Sequence, residues 1–100
     1  LSEDRQRIDR WLWHARIVRT RSAAASLAIG GHVRVNGVKV RAASREVGCG
    51  DVVTVALDRG VRVLRVCVLA PRRGDAEQAH QLYEELGPAS STAEPEWRPR

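Results

Sequence analysis

The sequence predicts an α+β fold: a two-helix motif packed on a small antiparallel sheet, with a C-terminal helix. Three observations lead there. Two stretches with helical start and stop signals lie between Asp9 and Gly31. A β-branched region comes next, broken at Asn36-Gly37, Gly50-Asp51 and Asp58-Arg59-Gly60. A further helical pattern begins at Asp75. A chain of 100 residues, 43% of them apolar, supports one small core and little room for a separate catalytic cleft, so a binding module is the first expectation.

The first helix is expected to start with Asp9 as its cap and to run to about Ile17, with Ile8 and Trp13 placed as a hydrophobic staple. Ile8, Trp11, Leu12 and Ala15 then share an apolar face, and Arg7, Arg10 and His14 lie near the opposite one. Thr20 caps a second helix through Ala23, Ala24, Leu27, Ala28 and Ile29, and Gly30-Gly31 ends it. Val33 to Val35 and Val38 to Val40 read as a hairpin, because Asn36-Gly37 supplies the two positive-φ residues of a type I′ turn. Val52 to Leu57 is a third strand, and Val61 to Ala70 a fourth. Pro71 to Gly74 breaks the chain. Asp75 and Gln78 then form a capping box for a helix over 75–86, with Ala79, Leu82, Tyr83 and Leu86 on one face and Gly87-Pro88 as its stop. Residues 1–6 read as an N-terminal extension, 7–87 as the domain, and 88–100 as a disordered tail rich in Pro, Ser, Thr and Glu.

Charge supplies the functional signal. Residues 1–50 hold ten bases and four acids, whereas 51–100 hold seven bases and eight acids, and no acid falls between Asp9 and Glu46. Eight bases occupy that gap, all arginine except Lys39. Such a segment predicts a surface that meets a polyanion, and guanidinium forks suit phosphate. Cys49 and Cys67 are too few and too far apart for a zinc site, and read as reduced, structural thiols. No apolar run approaches the roughly 18 residues of a membrane span, so a soluble, cytoplasmic protein is expected. Neither cofactor nor metal is implied. Paired carboxylates, a Ser/His/Asp set and a phosphate-cradling glycine loop are absent as recognisable spacings, which predicts a non-enzyme.

The candidate RNA-binding residues concentrate at the turn Arg16-Ile17-Val18-Arg19-Thr20-Arg21-Ser22. There three arginines precede a helix N-terminus, whose N–H groups and dipole attract phosphate. Thr20 and Ser22 add hydroxyls, although Thr20 is needed as a cap. His32, Arg34, Lys39 and Arg41 continue this surface if the hairpin packs beside the second helix, and Asn36 sits at its tip, more as turn former than as ligand. His14 and His32 read equally as RNA contacts and as ordinary surface histidines. Trp11 is assigned to the core. Trp13 is either stapled to Ile8 or offers its ring to an unpaired base.

Arg7-Ile8-Asp9, Thr20-Arg21-Ser22, the run Gly30-Gly31-His32-Val33-Arg34-Val35-Asn36-Gly37 and Gly50-Asp51 resemble the RNA-binding domain of ribosomal protein S-four. That domain recurs in pseudouridine synthases and tyrosyl-tRNA ligases. Arg10-Trp11-Leu12-Trp13, together with Arg72-Arg73 and then Leu82-Tyr83-Glu84-Glu85, further resembles the bacterial heat shock protein 15 family over about residues 7 to 86. The resemblance implies a small, heat-shock-related, non-enzymatic factor. It would bind ribosomal RNA on free large subunits, particularly those left with a nascent chain and its transfer RNA after a stall, and DNA in isolation. It places the RNA surface at Arg10, Arg16, Arg19, Thr20, Arg21, Ser22, Arg34 and Lys39, and adds Arg72 and Arg73. The chain departs from longer members, which continue into a very basic extension, and its second helix is more apolar at Ala25, Ala28 and Ile29. A monomer is expected. Two alternatives stand beside this: an RNA-binding part of an RNA-modifying enzyme, and a double-stranded DNA binder of helix-turn-helix type.

Overall fold

The computed structural model of the chain describes residues 5–88, and the expected tail from residue 89 onward, with Trp97, lies outside them. The elements are β1 (Arg5–Arg7), α1 (Ile8–His14), α2 (Arg21–Ile29), β2 (Val33–Val35), β3 (Val38–Lys39), β4 (Glu46–Gly48), β5 (Val52–Leu57), β6 (Gly60–Val66), α3 (Ala76–His80) and β7 (Tyr83–Pro88). β3-β2-β5-β6-β7 form an antiparallel sheet, and β1 pairs with β4 in a separate two-stranded ribbon. The class is α+β, as the sequence predicts.

The hairpin forms as expected. Val35 faces Val38 across a two-residue loop, with Asn36 at φ 52° and Gly37 at φ 84°, the type I′ geometry that matches strand twist. β5 and β6 join in the same economical way, Leu57 opposite Gly60 with Asp58-Arg59 between. Alternate residues Val33, Val35, Val53, Val55, Leu64 and Val66 are buried, and they share one core with Ile8, Trp11, Leu12 and Ala15 of the first helical segment and Ala24 and Ala28 of α2. Small side chains on α2 let it lie close to its neighbours. Trp11 is fully buried, and its indole Nε1 donates to Val68 O.

Several expectations are corrected. The helix over 75–86 is short: the capping box of Asp75 and Gln78 forms, but α3 ends at His80, and Tyr83 onward is strand. Glu84 and Glu85 have more helical than strand character, yet pairing with β6 prevails, aided by Arg65–Glu84 and Arg62–Glu85 ion pairs across the two strands. β1 and β4 have no counterpart in the sequence pattern, and β1 draws Arg5 and Gln6 of the expected extension into the fold. β6 stops at Val66, short of the Ala70 expected, because the chain leaves the sheet to cross α1. Cys49 and Cys67 are both exposed, not packed.

A last correction concerns Asp9. α1 begins at Ile8 without a side-chain cap, because Ile8 N–H donates to Arg45 O and Asp9 N–H to Ala43 O. The Asp9 carboxylate is thereby released for another role. It is 3% exposed, accepts from Arg7 Nε (3.1 Å) and Nη2 (3.0 Å) and from Arg10 N–H (2.7 Å), and lies 3.6 Å from Arg21 Nε. Arg21 is the first residue of α2, so one carboxylate joins β1, α1 and α2.

Asp9→Asn retains the shape and removes the charge. It should destabilise the fold by about 2 kcal/mol, the range for hydrogen bonds to a charged group, as a lower urea midpoint at unchanged slope. A change below about 0.5 kcal/mol would mean that the cluster does not hold the helices together.

Candidate nucleic-acid interface

α1 ends in a Schellman motif: Ile17 N–H donates to Leu12 O and Arg16 N–H to Trp13 O. Its left-handed position is held by Arg16, at φ 59°, where glycine is usual. α2 ends in the same motif with Gly31 at φ 85°. Arg16 thus holds a conformation that costs L-residues about 1–2 kcal/mol. Between the helices the chain runs through Arg19, which is exposed, to Thr20, whose Oγ1 accepts from Ala23 N–H at 3.0 Å. Thr20 is thus a cap, as expected, and Ser22 is exposed on the first turn of α2.

The β5–β6 turn stands opposite. Arg16, Arg19, Arg59, Arg62 and Arg73 line a groove of about 640 Å³ between the two turns, with Ile17, Val18 and Leu57 at its base and Asp58 as the one acid among its lining residues. Arg73 is fixed in place, stacked over the Trp13 ring at 5.8 Å and donating through Nε to Trp13 O at 3.0 Å. Trp13 therefore serves as a platform for an arginine. Arg16 Nε donates to Gly74 O at 2.9 Å, which leaves its other guanidinium nitrogens for a ligand. Arg62 is held by Glu85, whose carboxylate raises its pKa further. Arg19 and Arg59 make no side-chain hydrogen bond or ion pair with any described residue. Arg59 and Arg62 escape a reading of the sequence. Their signal is the Asp58-Arg59-Gly60 turn, a tight hairpin whose tip has to face some other element.

The other predicted residues divide. Arg7 and Arg21 attend Asp9 while their side chains stay roughly 45% exposed (45% and 44%), so both can still meet phosphate. Arg10 reaches Pro71 O at 3.4 Å. Lys39 and Arg41 are exposed beside a shallow recess next to Gly30 and Gly31, away from the groove's lining residues. Arg34 is half-buried and donates to Gly37 O. Asn36 is committed to the fold, donating to Asp51 Oδ1 at 3.1 Å and accepting from Val52 N–H at 2.9 Å. His32 is exposed in a recess with Ser26 that adjoins the groove through Leu57 and Asp58, and Arg72 is exposed on the lining of another cavity. His14 is corrected: it is 1% exposed, with Nδ1 donating to Ala70 O at 3.1 Å, and is not a histidine of the exposed basic surface. Burial, then Arg10, Arg21 and Arg73, hold its pKa below the ordinary 6.5, opposed by the Ala70 hydrogen bond.

A helix-turn-helix reading needs forked side chains on the second helix. After Arg21, α2 exposes only Ser22, Ser26 and Ile29. Among the described residues no group of three or more His, Cys, Asp or Glu is placed to hold a metal, and no helix is long and apolar enough to cross a membrane.

The two-helix motif, the hairpin and the basic turn define an RNA-binding domain of the S4 class, and the S4 domain family model matches residues 6–53. The chain is 37% identical over 79 residues to a heat shock protein 15 homolog of Aeromonas salmonicida and 34% identical over 79 residues to heat shock protein 15 of Escherichia coli strain K12, covering 79% of this chain and 59% of each relative. It therefore spans about three-fifths of the length of these relatives. A solved trimeric structure of Vibrio cholerae heat shock protein 15 superposes with a TM-score of 0.75 at 33% identity, covering 81% of both chains. The chain belongs to the heat shock protein 15 family.

Arg16→Gly and Arg16→Ala both remove the guanidinium, and both should weaken RNA binding. They should differ in stability, glycine exceeding alanine by about 1 kcal/mol because only alanine retains the left-handed penalty. Equal urea midpoints would remove strain from the account.

Proposed function

We propose that the chain binds structured RNA by seating backbone phosphates in the groove between the α1–α2 turn and the β5–β6 turn. Its physiological RNA is then ribosomal RNA of the large subunit, on free subunits that retain a nascent chain and its transfer RNA after a stall. The observation that carries this is the convergence of Arg16, Arg19, Arg59, Arg62 and Arg73 from three separated segments on one groove, with Asp58 the sole acid in its lining. Arg62 has Glu85 as its anion, whereas Arg16, Arg19, Arg59 and Arg73 have no carboxylate partner among the described residues, and an incoming polyanion offsets their mutual repulsion. Membership of the heat shock protein 15 family supports the ribosomal and stress-related part of the reading.

The role is one of binding without catalysis, exercised in the cytoplasm. Phosphate recognition alone does not separate RNA from DNA, so affinity for DNA in isolation is expected of the same groove. Discrimination arises from the width of the groove and from contacts beyond it. The five groove arginines come from one chain, which supports a monomer as the binding unit; the trimeric Vibrio cholerae relative sets the alternative, and sedimentation distinguishes them.

Arg19→Ala and Arg59→Ala should each weaken binding across unrelated RNAs and reduce the slope of log affinity against log salt by about 0.7 to 0.9 per lost phosphate. Arg59 is the sharper test, since it lies outside the two-helix motif. An unchanged slope for Arg59→Ala would confine the interface to the helices. For the ribosomal part, the protein should pellet with purified large subunits and do so more completely when they carry tethered peptidyl-tRNA. Equal recovery would exclude stalled-subunit rescue.

A further inference from the structure

A second cavity, of about 300 Å³, lies between α3 and the Val68–Gly74 segment. We propose that it takes one unpaired nucleobase of an RNA whose phosphates occupy the arginine groove; the inference rests on the groove reading and names the kind of RNA bound. The two sites share a wall. Arg73 lines the groove, while its neighbours Arg72 and Gly74 line the cavity, so a strand tracking the groove passes the cavity mouth. A volume at the lower end of the ~300–1,000 Å³ typical of ligand pockets suits a single base.

The lining is built for a planar polar ring. Leu69, Pro71 and Leu82 supply apolar walls, and His14 and Gln78 supply polar atoms. A carbonyl can only accept, so the 3.1 Å contact with Ala70 O fixes the His14 proton on Nδ1 and leaves Nε2 as an acceptor. That nitrogen has no hydrogen bond with any described residue, on a side chain that is 1% exposed. The burial and the surrounding arginines that lower the His14 pKa keep the ring neutral at neutral pH. Gln78 Oε1 is occupied by Asp75 N–H at 3.3 Å, so the Gln78 amide presents its NH₂ donors. An acceptor and a donor on the lining of one cavity suit the edge of a nucleobase, where an N–H adjoins a ring nitrogen or carbonyl. All four bases have such an edge, so the cavity selects an unstacked base without dictating its identity. Arg72, exposed and with no partner among the described residues, stands at the rim for the phosphate of the same nucleotide.

The test uses the full chain and two RNA hairpins that differ by one bulged 2-aminopurine nucleotide in the stem. The bulged hairpin should bind about tenfold more tightly than the fully paired one, near the low end of what capturing one base contributes, with a rise in 2-aminopurine fluorescence as the base leaves the stack. Gln78→Ala, and independently Gln81→Trp at the cavity rim, should abolish the preference while leaving affinity for the paired hairpin unchanged. Equal binding of both hairpins by the unaltered protein overturns the cavity proposal and leaves the groove standing. A preference that survives both substitutions also overturns it. Failure to bind either hairpin at low salt would overturn the groove reading itself.

Discussion

A single buried carboxylate organises the two-helix end of this molecule. Asp9 is the last acid before the long basic segment, and burying it would be costly if it lacked partners. Arg7, Arg21 and the Arg10 N–H supply them. The desolvation falls mainly on the carboxylate, because both guanidiniums remain nearly half exposed. The geometry has a functional consequence. By drawing the start of α2 against the start of α1, Asp9 fixes the direction of the turn between them and hence where Arg16 and Arg19 project. The same acid that neutralises two arginines positions the others.

A second constraint is the Val68–Gly74 segment, which crosses α1 without secondary structure of its own. Four of its carbonyls accept from side chains of the N-terminal part of the chain: Val68 from Trp11, Ala70 from Gln6 and His14, Pro71 from Arg10 and Gly74 from Arg16. Arg73 returns the bond by donating to Trp13 O. Irregular backbone beside a core needs such partners, and here three of the donors are RNA-site candidates from the sequence. Arg10, His14 and Arg16 thus have structural roles where composition alone assigns them to a ligand. The segment in turn carries Arg73 into the groove and separates it from the cavity beside α3.

Much of the fold was legible where local chemistry and tertiary packing agree. Thr20 caps α2, Gly31 ends it, and Asn36-Gly37 turns the hairpin, each for a backbone reason that a few residues contain. The failures occur where a distant partner decides. Asp75 and Gln78 start a helix as expected, but the conformation beyond His80 depends on β6, whose arginines at 62 and 65 face Glu85 and Glu84. β1 and β4 are three residues each and stabilised by one another, so neither has a pattern of its own. At the site, the acid-free stretch points to the turn before α2, whose Arg16 and Arg19 line the groove. It gave no access to Arg59 and Arg62, which join the groove through sheet topology, and it misplaced His14, whose spacing from Arg7 and Arg10 mimics a polar helix face.

The central claim is that RNA lies between two turns that are far apart in sequence, and a titration monitored through arginine Nε–Hε and backbone amide resonances measures this directly. With a structured RNA added stepwise, signals of Arg16, Arg19, Arg59 and Arg73 should shift together, at one common midpoint, along with the amides of 57–60. Shifts confined to the α1–α2 turn and the β2–β3 hairpin, with Arg59 and its neighbours unmoved, would contradict the account.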